Sequence, residues 1–425
     1  LLALSSLPEA MGLPGGARAR VDEAIAQILS RQGPSGGFGL WRAGSGDTWL
    51  DAYVTDFLLR ARDFGHAVPG TALDRALDRL AGRVAYAPDF ESGGEDIAYA
   101  LYVLAREGRA AMGDLRYYAD AKTDAFATPL ALAQLGAALA AYGDQPRADA
   151  LFSAAQARLG QSTPDRARLV DFGSPRRDAA ALLTLAAETG SRAVDRAALL
   201  GRLASERGRA STQEQAWSLL AAGALARDMA AQGVTLDGAP VAGLPVWQIA
   251  QGAAPGVLRN DGPAAVPITV TTLGRPDGAT EPGGYGYGVE RAYFRLDGTP
   301  SDRAVRVGDR LVAVLTVRPA EAAAARLMID DALPAGFEID NPSLLRAGDI
   351  AALDWLQTHA VEHAEFREDR FLSAVDQRGT DPIRVAYMVR AVSPGTFHHP
   401  AALVSDMYSP DHRATTGSGR ITVMP

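Results

Sequence analysis

The chain has no cysteine in 425 residues, which excludes disulfides, thiolate metal sites and cysteine nucleophiles within it. Lysine is almost as scarce: Lys122 is the single lysine among 42 basic residues, a bias better ascribed to codon usage than to guanidinium chemistry. No apolar run approaches the roughly 20 residues of a membrane-spanning helix, so the chain is not expected to insert in a membrane. The formal net charge of −8 argues against nucleic acid as a partner, because phosphate backbones are met by basic surfaces. There is no initiating methionine or basic leader before Leu1-Leu2-Ala3-Leu4, and the apolar run there is too short for a signal sequence. The chain is therefore expected to begin inside a larger protein.

What is present describes an ordinary globular protein, with 47% hydrophobic and 22% charged residues and length enough for two or three domains. To about Met229 the pattern is helical, in segments that open on Asp or Thr and close on Gly: Asp47–Gly65, Asp96–Gly108, Thr128–Gly143, Asp178–Gly190, and a last one from Thr212 to Met229. Their starts recur at irregular intervals of about 32 to 50 residues. Between them lie shorter, more charged helices at Thr71–Val84, Arg147–Leu159 and Arg192–Arg207. Alanine-rich helices apolar on most sides alternating with amphipathic ones predict an inner ring of buried helices inside an outer ring. Asp47, Asp96 and Asp178 read as helix caps, each worth about 1 kcal/mol.

The stretch Gln32 to Trp41, Q-G-P-S-G-G-F-G-L-W, carries the most information. It predicts a helix ending at Gln32, a turn that Gly36 and Gly37 can follow, and Phe38, Leu40 and Trp41 plugged back between helices. Trp49-Leu50-Asp51-Ala52-Tyr53-Val54 then opens an apolar helix. After Met229 the composition shifts to Pro, Gly, Val and Thr. Short strands are expected at Val234–Pro240, Leu244–Gln251 and Val266–Leu273, and Gly274–Gly288 reads as a linker with a tyrosine-bearing turn. Strands resume at Arg291–Leu296, Asp309–Arg318, Ala325–Asp331, Val361–Val375, Ile383–Ala391 and Ile421–Met424, the makings of a β-sandwich.

The Gln32–Trp41 turn, the W-L-D-A-Y-V helix and Ser211-Thr212-Gln213-Glu214 together resemble the thioester domain of the α2-macroglobulin and complement superfamily. The terminal Asp406-Met407-Tyr408-x-Pro410-x-x-Arg413-Ala414 resembles a signature of its bacterial branch. The resemblance implies a multidomain α-then-β fold in three parts: an α/α toroid at 1–232, the returning half of a CUB-type domain at 233–282, and a macroglobulin-like sandwich at 283–425. It further implies the C-terminal part of a broad-spectrum endopeptidase inhibitor, which traps proteases after bait cleavage and couples them through a Cys-x-Glu-Gln thioester. That motif is missing here and is expected just upstream of Leu1, unless the parent belongs to the relatives that lack it. Target proteases and the upstream macroglobulin domains are the implied partners, and the bacterial periplasm the implied location, with inner-membrane anchoring of the parent left open. Met407 and Tyr408 are implied to shield the thioester, whose carbonyl survives only if kept dry; the plainer reading is packing at a strand end. Gln32, Gly36, Gly37, Phe38, Trp41, Trp49 and Tyr53 are expected to be structural. Ala85–Glu95, which holds a histidine in hydroxyl-targeting complement relatives, has none here, implying direct aminolysis.

Terpene cyclases and protein prenyltransferases also use helical toroids with Q-x-x-x-G-x-[F/W] motifs, which Gln32, Gly36 and Phe38 satisfy. The first need an acid motif such as D-x-D-D and the second a zinc-binding cysteine, both absent. A thioester-free interaction module of the same family stays open. His359 and His363 have zinc-binding spacing only on a helix; along a strand they lie about 13 Å apart. His398 and His399 point to opposite faces. Gly283–Gly288 lacks the following helix that a phosphate loop needs. Asp51 and Asp56, five apart, do not share a helix face. No catalysis, metal or cofactor is expected.

Overall fold

A computed structural model describes residues 17–44, 46–161, 170–226, 233–240, 252, 256–262, 278–301, 304–340 and 354–425. They belong to two compact units, Leu1–Arg207 with Thr212–Thr271, and Gly208–Ser211 with Thr272–Pro425.

Among the described residues the first unit holds ten helices: α1 Ala17–Leu29, α2 Thr48–Asp63, α3 Gly70–Ala85, α4 Glu95–Arg106, α5 Met112–Ala121, α6 Pro129–Ala141, α7 Gln145–Gln161, α8 Pro175–Glu188, α9 Arg196–Ser205 and α10 Thr212–Ala226. The even-numbered helices follow one another in space, α2 on α4, α4 on α6, α6 on α8 and α8 on α10, while α3, α5, α7 and α9 lie against their outer sides. This is the α/α toroid foreseen from the alternation of patterns. Inner α6 is buried continuously from Pro129 to Leu139. Outer α3 buries one stripe only, Ala72, Leu73, Ala76, Leu77 and Leu80, as an amphipathic helix must.

Helix starts follow the capping rule. Asp47, Thr128, Ser174 and Asp195 each accept a hydrogen bond from the N–H three residues on, satisfying one of the donors a helix start leaves unpaired. Two expected caps are corrected. Gly94 caps α4 in place of Asp96. Ser174 caps α8, while Asp178 lies inside it, fully buried and 2.8 Å from Arg177. The helix α5 was not foreseen: it buries Leu115 alone, too little for a periodic signal.

The carboxyl ends of α2, α4 and α8 are joined by buried charge. Arg60 donates to Asp56, Glu188 and Tyr102, and Arg106 to Asp56, whose second oxygen accepts from Tyr99. Burial pushes Tyr102 up to about 12. Removing one partner of such a network costs about 3–5 kcal/mol, because the other charges stay buried. Among the described residues no helix is long and apolar enough to cross a membrane.

A small antiparallel sheet of β1 Val234–Leu236, β2 Ala239–Pro240 and β3 Leu258–Asn260 follows; the expected strands Leu244–Gln251 and Val266–Leu273 lie outside the described residues. The second unit contains β4 Gly283–Tyr285, β5 Tyr287–Phe294, β6 Ala304–Arg306, β7 Arg310–Pro319, β8 Ala325–Ala332, β9 Phe337–Ile339, β10 His363–Phe366, β11 Arg370–Gln377, β12 Ile383–Ala391, β13 Gly395–His399, β14 Ala402–Asp406, β15 Arg413–Thr415 and β16 Gly419–Met424. They form sheets ordered β10-β11-β8-β14-β15-β4, β5-β7-β12-β9 and β13-β16-β6. The first two face each other across a core that includes Leu311, Leu315, Val385, Leu327, Ile329 and Val404, a macroglobulin-like sandwich. Phe371 of β11 stacks on Tyr387 of β12 with centroids 4.4 Å apart.

Beside that stack Asp331 is wholly buried, accepting from Arg291 and, at 2.8 Å, from the Tyr387 hydroxyl. Burial pushes its carboxyl up against the pull of Arg291. Two expectations change here. The single strand Val361–Val375 is a hairpin, β10 and β11 turning at Arg367–Asp369. Part of the expected linker, Gly283–Tyr285, is an edge strand paired with β15.

Candidate functional site

The Gln32–Trp41 turn is built against α3. Helix α1 stops at Leu29, three residues earlier than expected. The Gln32 amide donates to the carbonyls of Gly36 and Ala72, at 3.1 and 2.9 Å, tying the turn to the outer helix. Gly36 has φ +87°, and a Cβ there would sit 2.1 Å from the Arg75 carbonyl oxygen. A Cβ on Gly37 would meet Arg79 Nε at 2.4 Å. Both positions demand glycine for space, and Gly36 also for backbone conformation.

Past these glycines the chain enters the core. Phe38 is buried, and its backbone N–H donates to Asp51 Oδ1 at 2.7 Å. Asp51 Oδ2 accepts from Arg79 Nε at 2.6 Å. Turn, inner helix α2 and outer helix α3 therefore meet on one carboxylate that is 1% exposed. Burial raises its pKa; hydrogen bonds from Arg79 and the Phe38 N–H oppose the rise. Leu40 and Trp41 stay half-buried, which corrects the expectation that both plug between helices. Trp49 is buried and stacked on Tyr53 at 5.2 Å, with Tyr99 and Phe172 against its other edges. Of the motif residues, Gln32, Gly36 and Gly37 meet α3, Phe38 meets Asp51 of α2, and Trp49 and Tyr53 of α2 pack against Tyr99 of α4.

The second candidate segment is the loop joining β14 to β15, containing Met407 and Tyr408. Buried Asp406 closes it: Oδ1 accepts from the N–H groups of Tyr408 and Ser409, at 3.0 and 3.2 Å. The Asp406 N–H donates to the His412 carbonyl, and the His412 N–H to Ser409 O. The Met407 N–H donates to Arg326 O of β8, fixing the loop to the sheet. This Asx-anchored turn holds Met407 and Tyr408 half-buried. The structure brings the two together on one loop and leaves neither in the hydrophobic core.

The histidines are dispersed. The His359 ring accepts the Arg384 N–H at 3.1 Å, His363 faces Glu365, and His399 meets the Tyr293 hydroxyl at 3.0 Å. His359 precedes the strand that His363 opens, so the two share neither a helix nor a strand. Reading the sequence missed Asp51 as the junction, Arg79 as its partner and Asp406 as the loop anchor. A carboxylate inside the apolar W-L-D-A-Y-V run was the available signal for Asp51: a charge there needs a partner.

Residues 286–411 match the family model described as the bacterial alpha-2-macroglobulin MG10 domain. The chain is 31% identical to alpha-2-macroglobulin of Escherichia coli over 96% of its own length and 26% of that protein. The native cryo-EM structure of the E. coli protein aligns with 98% of the chain and 28% of its own, at TM-score 0.79 and 28% identity. A crystal structure of Salmonella alpha-2-macroglobulin reacted with methylamine aligns with all of the chain and 29% of its own, at TM-score 0.78 and 30% identity. The chain spans about a quarter of the length of the curated relatives it matches. With both the helical unit and the sandwich matched, the chain belongs to the bacterial alpha-2-macroglobulin family, in its C-terminal region.

Proposed function

We propose that this chain is the C-terminal part of a broad-spectrum endopeptidase inhibitor, serving as the seat and cover of a thioester carried by residues upstream of Leu1. The toroid is the thioester-type domain at 1–232, residues 233–282 the returning half of a CUB-type domain, and 283–425 the terminal macroglobulin-like domain. Met407 and Tyr408 form the hydrophobic cover. Proteases that cut an upstream bait are the partners, captured by direct aminolysis from their lysines, and the periplasm is the compartment. The chain does no catalysis of its own and uses no cofactor.

The observation that carries this reading is the match along nearly the whole chain to a relative solved after reaction with methylamine. A small amine is the nucleophile that an activated acyl group such as a thioester accepts. The half-buried position of Met407 and Tyr408 on an anchored loop suits a cover, since an adaptable thioether and a ring can exclude water while the backbone stays put. Release of the cover would follow a domain rearrangement on bait cleavage.

The test is the intact mass and free-thiol content of the full-length protein before and after methylamine. Gain of one amine with one new thiol is expected. No change in either would replace this reading with that of a thioester-free interaction module.

A further inference from the structure

We propose that Asp411 is a positioning residue for the Met407–Tyr408 loop, which it holds through the connection between α9 and α10. That connection, Gly208–Ser211, belongs to the same compact unit as the sandwich. The Arg209 N–H donates to Asp411 Oδ1 at 3.1 Å, across 202 residues of sequence. Gly208 makes room for the other oxygen: it has φ +91°, and a Cβ there would lie 2.4 Å from Asp411 Oδ2. A side chain at 208 is thus opposed both by the backbone conformation and by the carboxylate.

The remaining contacts of the loop act at its sheet end or close it on itself. Asp406 Oδ1 accepts from the Tyr408 and Ser409 N–H groups, and the Met407 N–H donates to Arg326 O of β8. The His412 N–H donates to Ser409 O and the Asp406 N–H to His412 O. Asp411 differs from all of these, because its partner is a segment far away in sequence and it is itself exposed. Packing alone does not orient Met407 and Tyr408, which are only half-buried. A charge-assisted bond to a backbone N–H is directional and stronger than a neutral one, so it can set where the loop points.

The connection ends at buried Ser211, the first residue of the Ser211-Thr212-Gln213-Glu214 motif, and Thr212 opens α10. A displacement of Gly208–Ser211 therefore reaches Met407 and Tyr408 through Asp411. If the loop is a cover, a role that rests on the function proposed above, Asp411 is where the cover is let go.

The experiment is hydrogen exchange of the 425-residue chain, comparing wild type with Asp411→Ala, Asp411→Asn and Gly208→Ala on peptides spanning 406–412 and, as a control, β8. Exchange within 406–412 is expected to be about fivefold faster in Asp411→Ala and Gly208→Ala, the factor for losing one ordinary hydrogen bond. Asp411→Asn keeps an acceptor oxygen without the charge and should fall between them and wild type, with β8 unchanged throughout. Unaltered exchange at 406–412 in Asp411→Ala, equal exchange in Asp411→Asn and Asp411→Ala, or faster exchange in β8 as well would each overturn the assignment. In the full-length protein, Asp411→Ala should release thiol in buffer about fivefold faster than wild type. A wild type that takes up no methylamine would sink the proposed function, while the exchange result still decides the role of Asp411.

Discussion

The turn at Gln32–Trp41 and the loop at Met407–Tyr408 are built on opposite principles. The turn is held by tertiary contact: Gly36 presses on the backbone of α3, and Phe38 and Arg79 converge on a carboxylate from α2. In the loop, Asp406 accepts from the Tyr408 and Ser409 N–H groups and the Met407 N–H donates to β8. Substitutions in the turn should therefore read out as lost stability of the helical unit. Substitutions in the loop should leave the fold standing and change what the exposed half of each side chain does.

Four changes would break or sharpen that contrast. The largest effect is expected at Gly36→Val, where a side chain enters both a positive-φ position and the space of a carbonyl; destabilisation of about 4 kcal/mol should appear in urea unfolding followed by tryptophan fluorescence. Asp51→Ala comes next, at about 3 kcal/mol, because it strands the Arg79 charge and the Phe38 N–H together. If Asp51→Ala were neutral, the junction would not be what holds the turn. In the sandwich, Asp331→Ala removes the acceptor of both Arg291 and the Tyr387 hydroxyl, at about 2 kcal/mol near pH 7. The folded-state pKa of Asp331 is raised, so the native state takes up a proton before the unfolded chain does. Wild-type stability from this group is thus greatest below the ordinary aspartate pKa and is lost as pH rises through the raised value. The gap between wild type and variant should widen from pH 7 to pH 4, measured as urea midpoints. The smallest effect on folding is expected at Asp406→Ala, about 1 kcal/mol for two lost backbone bonds. Its unfolding midpoint should move less than that of Asp51→Ala.

The difference between the two segments also explains what could be read in advance. Helices α2 and α6 were legible because a capping residue and a closing glycine bound their apolar runs, and α3 because its apolar residues fall on one stripe. The turn was legible because glycine is needed where chains press together, and Q-G-P-S-G-G shows that need. Helix α5, with one buried residue, and short strands such as β9 and β15 leave too little pattern. Asp96 and Asp178 were read as caps because an aspartate before an apolar run looks the same whether it caps the helix or sits within its first turn. The Arg79–Asp51 pair joins residues 28 apart in sequence, so only the packing of α3 on α2 reveals it. Met407 and Tyr408 were singled out by resemblance, and the anchoring by Asp406 became visible only in the hydrogen bonds.

The most direct test concerns the loop as a cover. In the full-length protein, free thiol appearing over time in buffer alone would be compared between wild type and a Met407→Gly, Tyr408→Gly variant, with folding checked by circular dichroism. Thiol release at least about tenfold faster in the variant, at unchanged fold, is the predicted result, equivalent to about 1.4 kcal/mol less protection. Equal rates in a protein that does gain methylamine would contradict the role given to these two residues.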